Sequence, residues 1–258
     1  MVRTGLAVAG ASCLLIAGTV VSWGWGGQSG RESVTPLSGI TEVRLAESAG
    51  EVRIEYRPGA RAEVREQVRD WLGGDDGTSH RVEGGALVLA ACGADCSVDY
   101  EVTLPAPVPV TGTGDSGGLE VAGMKSVDVE TSAGSVRVSD VAGPVRVRGS
   151  AGGVELRDVD GDVDVTTGSG GIDGEDLGGG NITARADTGT IDLELTGPRV
   201  VRATTGTGGI GLEVPDEAYR VDSDTGTGSQ DIDVTTDPNS PRRLELSTGT
   251  GSIEVDHG

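Results

Sequence analysis

From Thr111 onward the sequence keeps returning to a short tag of Thr or Ser with Gly, each followed by an alternating apolar strand. The tags read TGTGDSGGLEV, TSAGSVRV, GSAGGVEL, TTGSGGID, DTGTIDLEL, TTGTGGIGLEV, DTGTGSQDIDV and STGTGSIEV. Their first apolar strand residues are Leu119, Val136, Val154, Ile172, Ile191, Ile210, Ile232 and Ile253. Successive separations of 17, 18, 18, 19, 19, 22 and 21 residues define a repeat of about 19.

Each repeat divides in two. In SVRVSDVAGPVRVRGSA (residues 135–151), Val136 and Val138 alternate around Arg137, and Val145 and Val147 around Arg146. Period-two alternation gives a strand one apolar face and one solvated face. Gly at the turns supplies backbone angles that other residues resist. A unit of two short strands and two tight turns cannot bury its own apolar face, whereas stacked units share a continuous core. The expected fold is therefore all-β: a single-domain β-solenoid, parallel β-helix-like, with two short strands per coil and a rise of about 4.8 Å per coil. The regular repeat part is expected over residues 111–258 and an N-terminal capping part over residues 34–110. Within the latter, SAGEVRIEYRPG (residues 48–59) carries the tag, and residues 61–71 read as a strand in preference to one helical face. Leu87–Ala91 and Val98–Leu104 read as a pair of strands around a Cys turn.

Composition suits such a stack. Gly contributes 45 residues, Phe none, and aromatics 2%, so the core must be assembled from many small aliphatic contacts. The net charge of −21 argues against a nucleic-acid partner, because phosphate binding needs clustered Lys and Arg. It also predicts a surface that resists self-association.

Residues 1–4 read as a short cytoplasmic start, and residues 5–25 as a transmembrane helix or signal anchor, an apolar run without charge long enough to span a bilayer. Trp23 and Trp25 mark its far end, Arg3 precedes it, and a linker of residues 26–33 follows. The expectation is a single-pass membrane protein with its C-terminal part extracytoplasmic. A cleaved signal peptide and a lipidated Cys13 are the rivals. In an oxidising compartment Cys92 and Cys96 read as a local disulfide across a turn. Zinc is the alternative, without a second Cys or His pair to complete a site.

The run CSVDYEVTLPAPVPV (residues 96–110), followed by TGSG- and TGTG-type strands, resembles the bacterial putative-adhesin family of glycine-rich β-strand repeats, formally a domain of unknown function. The resemblance covers residues 34–258. It implies a β-solenoid, often behind an N-terminal membrane anchor, with cell-envelope roles and no catalytic residues to carry over.

The residues themselves offer little chemistry. His80 and His257 are the only histidines, and neither accompanies a nucleophile elbow. Asp158, Asp160 and Asp162 alternate as calcium ligands do, but Val163 stands where an EF-hand turn needs Gly, and no closing Glu follows. They remain weak metal candidates, with solvated strand faces the plainer reading. No cofactor and no enzymatic activity are expected. The functional expectation is a cell-envelope structural or adhesin-like binding module, with a cell-wall polymer or an envelope protein as partner. An envelope-stress sensor working through a membrane partner is the alternative. A polysaccharide-active enzyme would need aligned carboxylates in a groove.

Overall fold

The computed structural model describes residues 30–70, 79–93 and 96–258. The expected membrane segment, with Cys13, Trp23 and Trp25, lies outside the described residues, as does Trp71. Among the described residues there is no helix, so none is long and apolar enough to cross a membrane.

The described chain opens with β1 (Gly30–Pro36), then makes a coil of β2 (Glu42–Ala49) and β3 (Val52–Tyr56). An excursion follows through β4 (Glu63–Asp70), β5 (His80–Glu83), β6 (Ala86–Ala90) and β7 (Cys96–Leu104). Two-strand coils then succeed one another: β8 (Pro109–Ser116) with β9 (Leu119–Ala122), β10 (Ser126–Ala133) with β11 (Val136–Val141), and β12 (Val145–Ala151) with β13 (Val154–Val159). They continue through β14 (Val163–Ser169) with β15 (Ile172–Leu177), β16 (Asn181–Thr188) with β17 (Ile191–Leu195), and β18 (Val200–Thr207) with β19 (Ile210–Val214). Last come β20 (Arg220–Thr227) with β21 (Gln230–Ile232) and β22 (Arg243–Thr250) with β23 (Ile253–His257). Strand β1 begins inside the 26–33 segment read as a linker, and β8 spans the 110/111 boundary.

The described strands form two long sheets facing one another, a β-solenoid-like stack. The first sheet has 12 strands in the order β1-β4-β7-β3-β9-β11-β13-β15-β17-β19-β23-β21. The second has 11, in the order β20-β22-β18-β16-β14-β12-β10-β8-β2-β6-β5. From coil to coil the pairing is parallel and in register, so Val136 lies between Leu119 and Val154, and Val145 between Val127 and Val163. Antiparallel pairs occur only around β1, β4, β5, β6 and β7 among the described strands. Residues 63–70 are strand, because their Val64 packs inward against the antiparallel neighbour β7. Strands β6 and β7 are not paired with each other: β6 joins β2 and β5, β7 joins β3 and β4. Between β6 and β7 the chain thus passes from the second sheet to the first.

The tags are corner devices. Gly134, Gly152, Gly170 and Gly189 sit one above another with φ between 116° and 150°. A Cβ on Gly152 would lie 2.0 Å from the carbonyl oxygen of Gly134 one coil away, so glycine is required twice over. The tag Thr faces inward: Thr167, Thr205 and Thr248 are buried, and their hydroxyls donate to the carbonyls of Gly152, Gly189 and Gly208. Between these corners the core is a column of Val, Ile, Leu and Ala, with Tyr100 and Tyr219 its only buried aromatics among the described residues.

Three consecutive coils carry an extra residue on the first sheet. Asp140, Asp158 and Asp176 adopt left-handed backbone angles (φ 56°, 52° and 54°). Asp tolerates that conformation better than most residues. The bulge lets Val141, Val159 and Leu177 turn inward, so apolar positions run i, i+2, i+5. In β17 the spacing returns to Ile191, Leu193, Leu195.

One repeat assignment is corrected. Gln230, not Ile232, stands beside Ile253, and Ile232 pairs with Val255. Strand β21 lies at the edge of the stack, where a polar residue can occupy the apolar position.

Candidate functional site

The outward rows of the first sheet divide by charge. Along one row the register runs Glu101, Arg53, Glu120, Arg137, Glu155, Asp173, Asp192, Gly211, Glu254. Its first half alternates in sign, with Arg53 2.8 Å from Glu120 and Arg137 2.6 Å from Glu155. Beyond Glu155 the row contains no base. On the neighbouring row Arg157 pairs with Glu175 at 2.5 Å. Glu194, Glu213 and Asp256 then follow on β17, β19 and β23. Among the described residues Asp173, Asp192, Glu194, Glu213, Glu254 and Asp256 have no ion pair. The second sheet is mixed in sign, with Arg146 3.2 Å from Asp164 and Arg202 2.7 Å from Glu245. On the first sheet these two outward rows therefore change from charge-mated to wholly acidic beyond Glu155 and Glu175.

Gly211 makes a gap in this strip. A Cβ there would meet the Asp192 Oδ1 at 2.7 Å. A groove of about 520 Å³ runs over it, bounded by Glu155, Asp173, Asp192, Glu213, Glu254 and Asp256. Neighbouring rungs stand about 4.8 Å apart, so each carboxylate lies beside another. Loss of solvent, then Asp192 and Glu155, push the Asp173 carboxyl above its ordinary value. Glu194 is pushed the same way, by loss of solvent and then by Glu213, Asp176 and Glu175. One rung earlier, the hydrogen bond from Arg137 holds Glu155 below its ordinary value. The charge boundary is thus marked by carboxylates shifted in opposite directions.

The sequence-derived candidates are scattered. Asp158 occupies a bulge on the first sheet, and Asp160 sits at the corner. Asp162 accepts hydrogen bonds from the backbone and side chain of Asn181, both at 3.0 Å. Among the described residues no three such side chains form a group that could hold a metal ion. Cys92 and Cys96 are joined as a disulfide with their Cα atoms 5.9 Å apart. His257 ends β23 and is exposed.

His80 lies on strand β5 and is 8% exposed. Its Nδ1 is 2.9 Å from Oε2 of Glu66, which is itself buried. The Ser79 amide donates to the other Glu66 oxygen at 2.6 Å. Burial alone would raise the Glu66 carboxyl, but the hydrogen bonds from His80 and Ser79 prevail and hold it below its ordinary value. The pair belongs to the cap, where antiparallel β4 and β5 close one end of the core. Fourteen residues of separation across two sheets left no local signal of it.

Residues 95–256 match the Toastrack DUF4097 family. The chain belongs to that family. Toastrack is a domain of unknown function, and the match takes in every regular coil from β8 to β22. A solved structure described as a putative adhesin from Bacteroides fragilis is similar at 10% identity, covering 89% of this chain and 97% of that one, with a TM-score of 0.51. Another, from Parabacteroides merdae, covers 89% and 96% at 10% identity, with a TM-score of 0.46. At such identities the first likeness is one of fold, and the second is too low to argue from. No curated protein matches.

Proposed function

We propose that this Toastrack chain is a single-pass, extracytoplasmic adhesin-like module that binds an envelope partner through the acidic strip of its first sheet and performs no catalysis. The observation that carries the reading is the strip itself: a run of unpaired carboxylates on successive in-register rungs, on a sheet whose other half is charge-mated. Stacked coils hold such a row at fixed spacing, which suits a long partner contacted at many points. A surface of this sign favours a partner bearing basic groups, or an anionic wall polymer bridged by divalent cations. The apolar residues 5–25 support the anchor.

The test takes the full-length chain. Fractionation and protease shaving of intact cells expressing it should place it in the membrane with its coils accessible from outside. In mild detergent it should cosediment saturably with isolated cell walls. Added salt should weaken this binding, and Asp192→Asn with Glu254→Gln should weaken it further. Binding that appears only with millimolar calcium indicates bridging. A soluble cytoplasmic chain, or wall binding indifferent to salt and to both substitutions, overturns the reading.

A second reading is favoured by one observation. Carboxylates aligned around a groove are what glycan hydrolysis uses, and Asp173 has a raised pKa beside Asp192. Against it, among the described residues neither Tyr nor Trp borders the groove to stack a sugar. Release of reducing ends from wall polysaccharide, abolished by Asp173→Asn, would establish it.

A further inference from the structure

The coils are not stacked in chain order at either end. At the C-terminal end the last coil, β22 with β23, is inserted between β18/β19 and β20/β21. Ile253 is flanked by Ile210 on one side and Gln230 on the other, and Leu244 by Val201 and Val221. At the opposite end the coil of β2 and β3 is inserted between β6/β7 and β8/β9. Val52 is flanked by Tyr100 and Leu119, and Val43 by Leu87 and Val110. Among the described strands only β1, paired with β4, lies outside this arrangement.

We infer that this strand order makes the domain a tension-bearing element, locked against peeling from both of its termini. In a solenoid stacked in chain order, the terminal coil has one neighbour. A pull on the chain end then unzips it, and each following coil in turn becomes the new end. Here a pull on His257 must break two ladders at once, or lift β20/β21 together with β22/β23. The second route must break the β18–β22 and β19–β23 ladders together, with β20 still tethered to β19 through the short connection of residues 215–219. Tyr219 is buried there; its hydroxyl donates to the Pro215 carbonyl, and its amide to the Thr235 carbonyl. Arg242 pairs with Glu217 across the same connection. From the other terminus β1 comes away first, and the pull then meets β2 and β3, each held on both sides. The excursions β4–β7 and β20–β21 cap the stack from outside this load path.

A load in the cell rests on the anchored-adhesin reading, whereas resistance to peeling rests on strand order alone. The two therefore fail independently. The experiment holds the full-length chain in detergent micelles by handles at its two ends in optical tweezers. After a short release from β1, the coils should rupture in one large event. A staircase of steps near 19 residues, each releasing about 65 Å of chain, starting at either end below the main rupture, overturns the proposal. Native-state hydrogen exchange gives a second measurement without any substitution. Amides of β22 and β23 should exchange as slowly as those of β18 and β19, and β20 and β21 should exchange first. Faster exchange in β22 and β23 than in β20 and β21 would also overturn it.

Discussion

At the residue scale the solenoid is decided at its corners. Gly152 needs both a positive φ and the space a side chain would take, whereas Gly59 needs only the angle, with φ 76° and nothing within 4 Å of where a Cβ would lie. Gly59→Ala should therefore cost about 1 kcal/mol for its backbone angle. Gly152→Ala should cost about 3 kcal/mol or more, because the clash is with a backbone carbonyl. Denaturant titration of the two variants side by side measures the difference; equal costs would mean that coil spacing relaxes around the new methyl. Glu66 makes a different demand. Its folded pKa lies below the ordinary value of 4.5. The stability it contributes is thus complete above that value and is lost as pH falls through the lower folded value. Acid unfolding of wild type should show this loss below about pH 4.5. Glu66→Gln should be less stable at neutral pH and flatter through that window. The Glu66–His80 pair was not legible because its partners come from β4 and β5, which meet only when the cap closes.

At the element scale the terminal coil shows how an open stack ends without inviting another copy. Strands β20 and β21 place Ser223, Thr225 and Gln230 where other coils place apolar or Thr side chains. These three hydrogen-bond one another, Ser223 to Gln230 at 2.8 Å and Gln230 to Thr225 at 3.2 Å. The exposed rung thus presents polar side chains bonded to one another in place of an apolar row, which discourages stacking of a second chain on this edge. Gln230→Leu combined with Ser223→Val should leave the coil folded and make the protein self-associate. Analytical ultracentrifugation across a concentration series would detect this, and a variant that stays monomeric would show that the edge backbone is protected by other means. The aspartate bulges of β11, β13 and β15 belong to this scale too. Their i, i+2, i+5 apolar spacing is visible in the sequence as VRVSDV and VELRDV, although strict alternation hides it.

At the scale of the whole molecule, stability is shared along one column. Val145 and Val147 are 1% and 0% exposed, and each touches the coil before and the coil after through the ladder. Val147→Asp should cost on the order of 4 kcal/mol or more, since a buried charge there finds no partner. The loss should appear as a lower Tm for the whole transition and not as a separate early phase. A small change confined to a minor phase would mean that the coils fold independently. The division of charge also belongs to this scale, because it follows from which rungs become neighbours.

Much of this was determined by sequence alone. Tags, alternation and spacing dictated an all-β stack with two strands per coil, because a β-strand's period is two and a tight corner needs glycine. They also separated inward valines from outward charges, since a one-residue slip would bury every Arg and Asp. The order of coils at both ends, the cap around Glu66 and His80, and the unpaired acidic strip were decided only in the tertiary structure. The physical reason is that every coil offers nearly the same ladder and the same apolar rows to its neighbours. Local pattern then says that a strand will stack, but not beside which strand. That choice is made by how the chain closes its two open ends.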